Sequence, residues 1–288
     1  MPVTLWALSD LHVGYESNRR AIEALPDFGD DWLLLGGDTG DTLAQLTAVL
    51  DVVTRRFARV VWTPGNHDLW TPRHWPDERR GAAHYARLVD ACRAYGVATP
   101  EDPYLVWPAT GHVLAPIFTL YDYSFGPPGL SPDAAVAWAA ETNVRCADEL
   151  LLSAAPFPSR AAWCAARVVA TEARLAAVSH SARLVLLSHF PLRPDLAVLP
   201  RVPRFTIWCG TTRTADWHTR FPVDVVVSGH LHIRTTQWRD GVRFEEVSLG
   251  YPPQWDAARG AAHYVRPILP APPALDGRAG PGTIVRHR

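Results

Sequence analysis

Residues 3–12 read Val3-Thr4-Leu5-Trp6-Ala7-Leu8-Ser9-Asp10-Leu11-His12, an apolar run that breaks into a carboxylate and an imidazole two positions apart. Residues 3–8 have the length and apolar content of a buried β-strand. Asp10 and His12 stand where that strand ends. In an extended chain the i and i+2 side chains share a face, so both can reach one point. Alone, the pattern is weak: a turn Asp beside an incidental His satisfies it equally.

The arrangement returns four more times. Residues 32–35 open into Gly36-Gly37-Asp38, with Asp41 three positions on. Residues 59–62 open through Thr63-Pro64 into Gly65-Asn66-His67-Asp68. Residues 183–187 end at Ser188-His189, and residues 223–227 at Ser228-Gly229-His230-Leu231-His232. Ligands on the ends of several strands can converge, as in open α/β sheets. The five segments offer two Asp, one Asn and four His, with one His to spare. This oxygen and nitrogen set, without sulfur, suits Mn, Fe or Zn.

The individual residues leave alternatives. Asp38 can bridge two cations through its two oxygens, and the glycines before it let the backbone turn sharply. Asp41 reads as a helix cap and stays outside the ligand set. Asn66 offers a neutral carbonyl oxygen. His67 points elsewhere and suits a proton donor to a leaving oxygen, or a cation on a phosphate. Asp68 either orients His67 through its other ring nitrogen or caps a helix. His189, taken alone, reads more readily as a structural histidine than as a ligand. Five such segments in this order make coincidence a poor explanation.

Helical periodicity over 41–56, with Leu43, Leu46, Val49 and Leu50 on one stripe, and a further helix over 83–95 alternate with the strands. That alternation predicts a parallel sheet with crossover connections. Strands are expected over 104–107 and 112–121, and helices over 134–152 and 161–178. The stretch of about residues 124–182 is an insertion, and insertions beside a site shape pockets. Residues 233–238 and 242–247 predict a hairpin across Asp240-Gly241. Residues 1–265 read as one domain and 266–288 as an irregular Pro-rich tail. No internal repeat is visible, and no residue pattern sets an oligomeric state.

Composition narrows the function. The chain has 288 residues and a formal net charge of -1, and all of its 28 basic residues are Arg. No global field draws it to nucleic acid or anionic lipid, so nucleic acid is disfavoured as a partner. The lack of Lys excludes a Schiff-base lysine and a phosphate-loop lysine. No run of about 18 apolar residues suggests a membrane span. The stretch before Asp10 is too short for a signal peptide. Cys92, Cys146, Cys164 and Cys209 lack paired spacing, which predicts free thiols in a reducing cytoplasm.

The order D-x-H, G-D-x-x-D, G-N-H-D, a strand-end His and G-H-x-H resembles the calcineurin-like metallophosphoesterase superfamily. The resemblance spans roughly residues 1–250, and no motif position departs from it. It implies an α/β fold, a four-layer α-β-β-α sandwich of two packed mixed sheets, with a dinuclear metal site at the strand C-terminal ends. It implies that Asp10, His12, Asp38 and His232 hold one metal, and that Asp38, Asn66, His189 and His230 hold the other. The catalytic residue would be His67, with Asp68 beside it. The reaction would be in-line attack on a phosphate ester by a metal-bridging hydroxide. The ions would be two divalent or trivalent metals.

The substrate expected is a small organic phosphate, monoester or diester. Trp70, Arg73, His74, Tyr123 and Arg193 stand near the motif segments and would suit it by stacking and charge pairing. Most Trp residues are equally read as core or rim. A nuclease, a protein phosphatase or a non-catalytic scaffold on the same fold are the alternatives.

Overall fold

The computed structural model describes residues 3–271 and 284–287. The chain runs β1 (Leu5–Leu8), α1 (Glu16–Glu23), β2 (Trp32–Leu35), α2 (Leu43–Arg56), β3 (Arg59–Trp62) and α3 (Gly81–Ala94). It continues through β4 (Leu105–Val106), β5 (Val113–Pro116), α4 (Pro132–Ala140), α5 (Asp148–Leu151), α6 (Arg160–Ala176) and β6 (Leu184–Leu187). It closes with α7 (Trp217–Arg220), β7 (Val223–Ser228), β8 (Thr235–Arg239), β9 (Val242–Glu246), β10 (Arg266–Leu269) and β11 (Ile284–Arg286). The strands form two mixed sheets, in the orders β10-β1-β2-β3 and β11-β8-β9-β7-β6-β5-β4.

The period-two alternation of each strand makes the layers. Leu5, Ala7, Leu34 and Val61 of the first sheet pack with Leu114, Val185, Leu187, Val225 and Val227 of the second in one buried cluster. Their neighbours Leu8, Leu33, Leu35, Val60, Trp62, Leu184, Leu186 and Val226 pack instead with helical residues. Those come from α2 (Leu46, Val49, Leu50, Val53), α3 (Leu88, Val89, Cys92) and α6 (Trp163, Cys164, Val168). The sheets therefore face each other and the helices lie outside, the four-layer order the motifs implied. An isolated bridge between Ser9 and Ser248 joins the two sheets just past β1 and β9.

Several expected elements differ. The helix expected over 134–152 is two pieces, because Asn143 takes a left-handed φ of 58° between α4 and α5. Asparagine accepts that conformation at low steric cost. The strand expected over 112–121 stops at Pro116, which has no N–H for the ladder, and Leu120 turns left-handed at φ 59°. The cap of α2 is Thr42, whose hydroxyl accepts the Gln45 N–H at 3.2 Å, and not Asp41. The irregular tail expected from Arg266 is corrected at two places. β10 pairs antiparallel with β1, and β11 with β8. Both are edge strands, where a proline such as Pro267 is tolerated and hides the strand from sequence reading. Between them, residues 272–283 lie outside the described residues.

Candidate metal centre

The five strand-end segments meet at one place, between the ends of β1, β2 and β3 of one sheet and β6 and β7 of the other. Asp10 Oδ1 lies 3.0 Å from His232 Nε2 and 4.0 Å from His12 Nε2. Asp38 Oδ2 lies 3.6 Å from His189 Nε2, 3.9 Å from His12 Nε2 and 4.0 Å from His67 Nε2. Asn66 Oδ1 is 3.2 Å from His189 Nε2 and 3.1 Å from His230 Nδ1. All seven expected ligands and His67 are thus in one cluster, with the Asp38 carboxylate shared between its two halves.

The backbone reaches this geometry by an unexpected route. Asp10 (φ 54°), His12 (44°), Asp38 (50°), His230 (71°) and His232 (53°) are all left-handed. The i, i+2 pairs therefore do not share a face of extended chain. They converge through tight turns that ordinary L-residues avoid, and such strain collects at functional sites. Glycines make the close approach possible. A Cβ at Gly65 would fall on the Asp38 carboxylate, and one at Gly229 on the Asp10 carboxylate.

Asp68 does not orient His67. Its Oδ2 accepts the N–H groups of Asp38 (2.7 Å) and Gly65 (2.9 Å). Its Oδ1 accepts from the Thr39 N–H (3.1 Å) and hydroxyl (2.5 Å). All its accepting capacity goes to clamping the β2 and β3 loops together. The partner of His67 is Asp41, whose Oδ1 lies 2.8 Å from His67 Nδ1. Trp70 packs on His67 with ring centroids 3.6 Å apart.

Outer partners orient the inner atoms. His189 Nδ1 lies 2.8 Å from the Gly36 carbonyl, and His232 Nδ1 lies 2.7 Å from Gln254 Oε1. Each ring therefore donates from Nδ1 and turns Nε2 to the cluster. Asn66 is fixed from the insertion. Its Nδ2 donates to Asp148 Oδ1 at 3.0 Å, which also accepts Trp70 Nε1 at 2.7 Å, while Tyr121 donates to Asp148 Oδ2 at 3.0 Å. A carboxylate only accepts, so it selects the amide nitrogen and leaves the Asn66 oxygen facing His189 and His230. Asp148, Asp41, Tyr251 and Gln254 were missed in the sequence. Only Asp41 carried a local signal, its place three residues after Asp38.

The electrostatics call for cations. Asp10, Asp38, Asp68, Asp148 and Glu246 are all buried. Among the described residues no arginine side chain pairs with them: Arg160 reaches only the Asp148 carbonyl, and Arg234 gives Glu246 its backbone N–H. Buried anions without counter-charge are costly. Burial and the neighbouring Asp10 and Asp68 push the Asp38 carboxyl well above the usual range. Burial would raise Asp10 too, but His232 beside it, itself raised by Asp10, holds it well below. Burial lowers His12 to about 2 and lowers His189 and His230, so these imidazoles are neutral and their lone pairs available. His12 Nε2 and His232 Nε2 face each other at 3.3 Å, and His230 Nε2 is buried without a partner. The donor set fits metal ions on each count.

A cleft of about 350 Å³ opens over Asp38, Asn66, His67, His230 and His232. Its remaining walls are Leu199, Val202, Phe205, Leu231, Tyr251 and Gln254. Most of the expected substrate contacts are elsewhere. Arg73 and Tyr123 line a second cavity with Arg80 and Arg160, and Tyr123 hydrogen-bonds Glu149 and Arg160. Arg193 is held by Asp195 and Asp240. Exposed His74 lines neither cavity. Trp70 touches the site through His67.

Two facing mixed sheets with an Asp, Asn and His cluster at their strand ends define a metallophosphoesterase architecture. A profile described as calcineurin-like phosphoesterase matches residues 3–234, and the chain belongs to that family of metal-dependent hydrolases of phosphate ester bonds. Over 278 residues, 95% of this chain and 86% of the relative, it is 48% identical to the acyl-carrier-protein phosphodiesterase PptH of Mycobacterium tuberculosis. The crystal structure of the phosphopantetheinyl hydrolase PptH of that organism matches with a TM-score of 0.87 at 46% identity, over 97% of this chain and 98% of that one. The Thermus thermophilus protein TT1561 shares the fold alone, with a TM-score of 0.50 at 12% identity over 86% of this chain and 90% of that one. No helix among the described residues is long and apolar enough to cross a membrane.

Proposed function

We propose that the protein hydrolyses a phosphodiester at two metal ions. Asp10, His12, Asp38 and His232 would hold one ion, and Asp38, Asn66, His189 and His230 the other. The observation that carries this reading is the place of Asp38 Oδ2, within reach of imidazoles from both sheets at 3.6 Å (His189) and 3.9 Å (His12). When bound, Mn, Fe or Zn would lower the pKa of an attacking water and neutralise the phosphoryl oxygens. The chain supplies the rest. His67, held by Asp41 at Nδ1 and covered by Trp70, presents Nε2 to the cleft and passes a proton from that atom to the leaving oxygen. Tyr251, with its hydroxyl 3.4 Å from His67 Nε2, limits where that oxygen can lie.

A diester is the better substrate class for this cleft. Among the described residues no arginine lines it, and the chain has no lysine, so no further phosphate finds a cation there. A nuclease reading lacks the same cations. The relative's name points the same way, and we infer a phosphopantetheinyl diester of an acyl carrier protein as the substrate. Four free cysteines suit a reducing cytoplasm.

The test is a comparison of metal-reconstituted protein, with Mn, Fe and Zn in turn, on an aryl diester, an aryl monoester and holo acyl carrier protein. Diester turnover should exceed monoester turnover, and the carrier should lose the mass of its prosthetic group. No diester cleavage with any metal would end the proposal. His67→Ala should keep its metals and lose about 10²–10⁴ in rate on poor leaving groups. Equal loss on good and poor leaving groups would remove the acid role.

A further inference from the structure

The cleft walls beyond the metal cluster are apolar on one side and aromatic on the other. Leu199, Val202 and Phe205 come from the loop between β6 and α7, and Leu231 from between the two histidines of the β7 end. This wall is braced from behind. Phe205 and Leu199 pack on a small buried cluster of Phe125, Ala197, Cys209 and Leu231. Arg204 ties the turn Pro203–Trp208 to the Trp138 carbonyl and the Glu141 carboxylate at α4. Phe205 also lies over His230, with ring centroids 6.0 Å apart.

In front, the wall is open at Val202, which is 42% exposed, and Val198, nearby in sequence, is 62% exposed. Tyr251 lines the other side and packs on Tyr15, which is 50% exposed, with ring centroids 5.7 Å apart. Single exposed apolar residues need no explanation, but a group at the mouth of a concave site does. A volume of about 350 Å³ is within the range of small-ligand sites. Among the described residues no arginine contributes to the lining, so an occupant beyond the phosphate finds no arginine there.

We propose that Leu199, Val202 and Phe205 with Leu231 and Tyr251 form a binding subsite for an uncharged, extended alkyl-amide arm of the substrate ester. The subsite runs on from the phosphate position and rests on the diester reading above. It assigns specificity to the apolar loop after His189 rather than to Arg73, Tyr123 or Arg193. A charged arm, such as a further phosphate or a carboxylate, would be left unpaired against Leu199 and Val202 and would bind worse.

Calorimetric titration of the full-length, metal-loaded protein with inorganic phosphate and with phosphopantetheine tests this without turnover. Phosphopantetheine should bind at least about tenfold more tightly, the gain expected from burying one or two apolar groups. A phosphate ester with a carboxylate-ended arm of equal length should lose that gain. Leu199→Ser, half-buried in the wall, and Val202→Ser, at its open face, should each bring the ratio of the two affinities down by about threefold or more. Equal affinities in the wild type, no binding of either probe, or an unchanged ratio in both variants would overturn the subsite. So would a dimer in sedimentation that dissolves in the same variants, because the loop would then be an interface between copies. Turnover of an aryl diester is scored separately. Turnover with equal probe affinities sinks the subsite alone, and an arm preference without turnover sinks the catalytic reading alone.

Discussion

Asp38 sits three residues past the end of β2, in a left-handed turn between two glycine-permitted close approaches. Phe205 sits on a loop between β6 and α7, braced by side chains from the insertion and from the β7 end. The cradle around Asp38 is assembled from short, strained turns, each one step beyond a buried strand. Only a few side-chain arrangements satisfy it, and the strands deliver them. The wall around Phe205 is assembled from segments far apart in sequence that happen to pack. It touches the cradle where Phe205 lies over His230. The comparison teaches that the metal cradle is built at strand ends, while on the proposed reading loops meet the rest of the substrate.

Asp148 crosses that division, and the predictions probe where it lies. The largest effect is expected at Asp38→Ala, which should lose bound metal by elemental analysis and more than about a hundredfold in activity, beyond what outer partners cost. Full metal occupancy would mean that Asp38 is not shared. Asp148→Ala comes next, although it lies in the insertion. It removes the oxygen that accepts from both Asn66 Nδ2 and Trp70 Nε1, so the Asn66 amide loses its fixed orientation. Metal affinity by chelator competition should fall about 10–100-fold. Unchanged affinity would return the insertion wholly to the substrate side of the comparison. Asp41→Asn should leave metal content alone and cost about tenfold in rate on poor leaving groups, a part of the full acid contribution. A matching loss on good leaving groups would show that Asp41 acts on something other than His67. The smallest effect belongs to Thr42→Ala. It should cost about 1 kcal/mol of stability in a denaturant titration, with kcat unchanged, since Thr42 and not Asp41 caps α2.

Much of the cradle was legible because buried strands and polar strand ends are local signals. The runs at 32–35 and 59–62 coincide with β2 and β3. The ligand residues follow them at once. Other readings failed where a partner far away decided the outcome. Asp68 adjoins His67, and adjacency suggested a pair. Its oxygens are instead consumed by the nearby Gly65 N–H and by the backbone of Asp38 and Thr39, which only the β2–β3 pairing brings near. Arg193 stands four residues past His189, yet Asp195 and Asp240 hold it away from the cleft. β10 and β11 escaped notice because edge strands tolerate proline and carry little alternation.

The sequence by itself determined an α/β class with a parallel sheet, the strand ends that bear Asp, Asn and His, and the chemistry those donors suit; the second sheet came only with the family resemblance. Residue type and period-two burial are properties of short stretches, and short stretches can be read. Only the tertiary structure decided that Asp41 and not Asp68 holds His67, that Asp148 fixes the Asn66 amide, and that an apolar loop rather than a set of arginines walls the cleft. Each of those is a contact across 26 or more residues. Hydrogen bonds and packing act at a few ångströms in space, and distance along the chain carries no record of them.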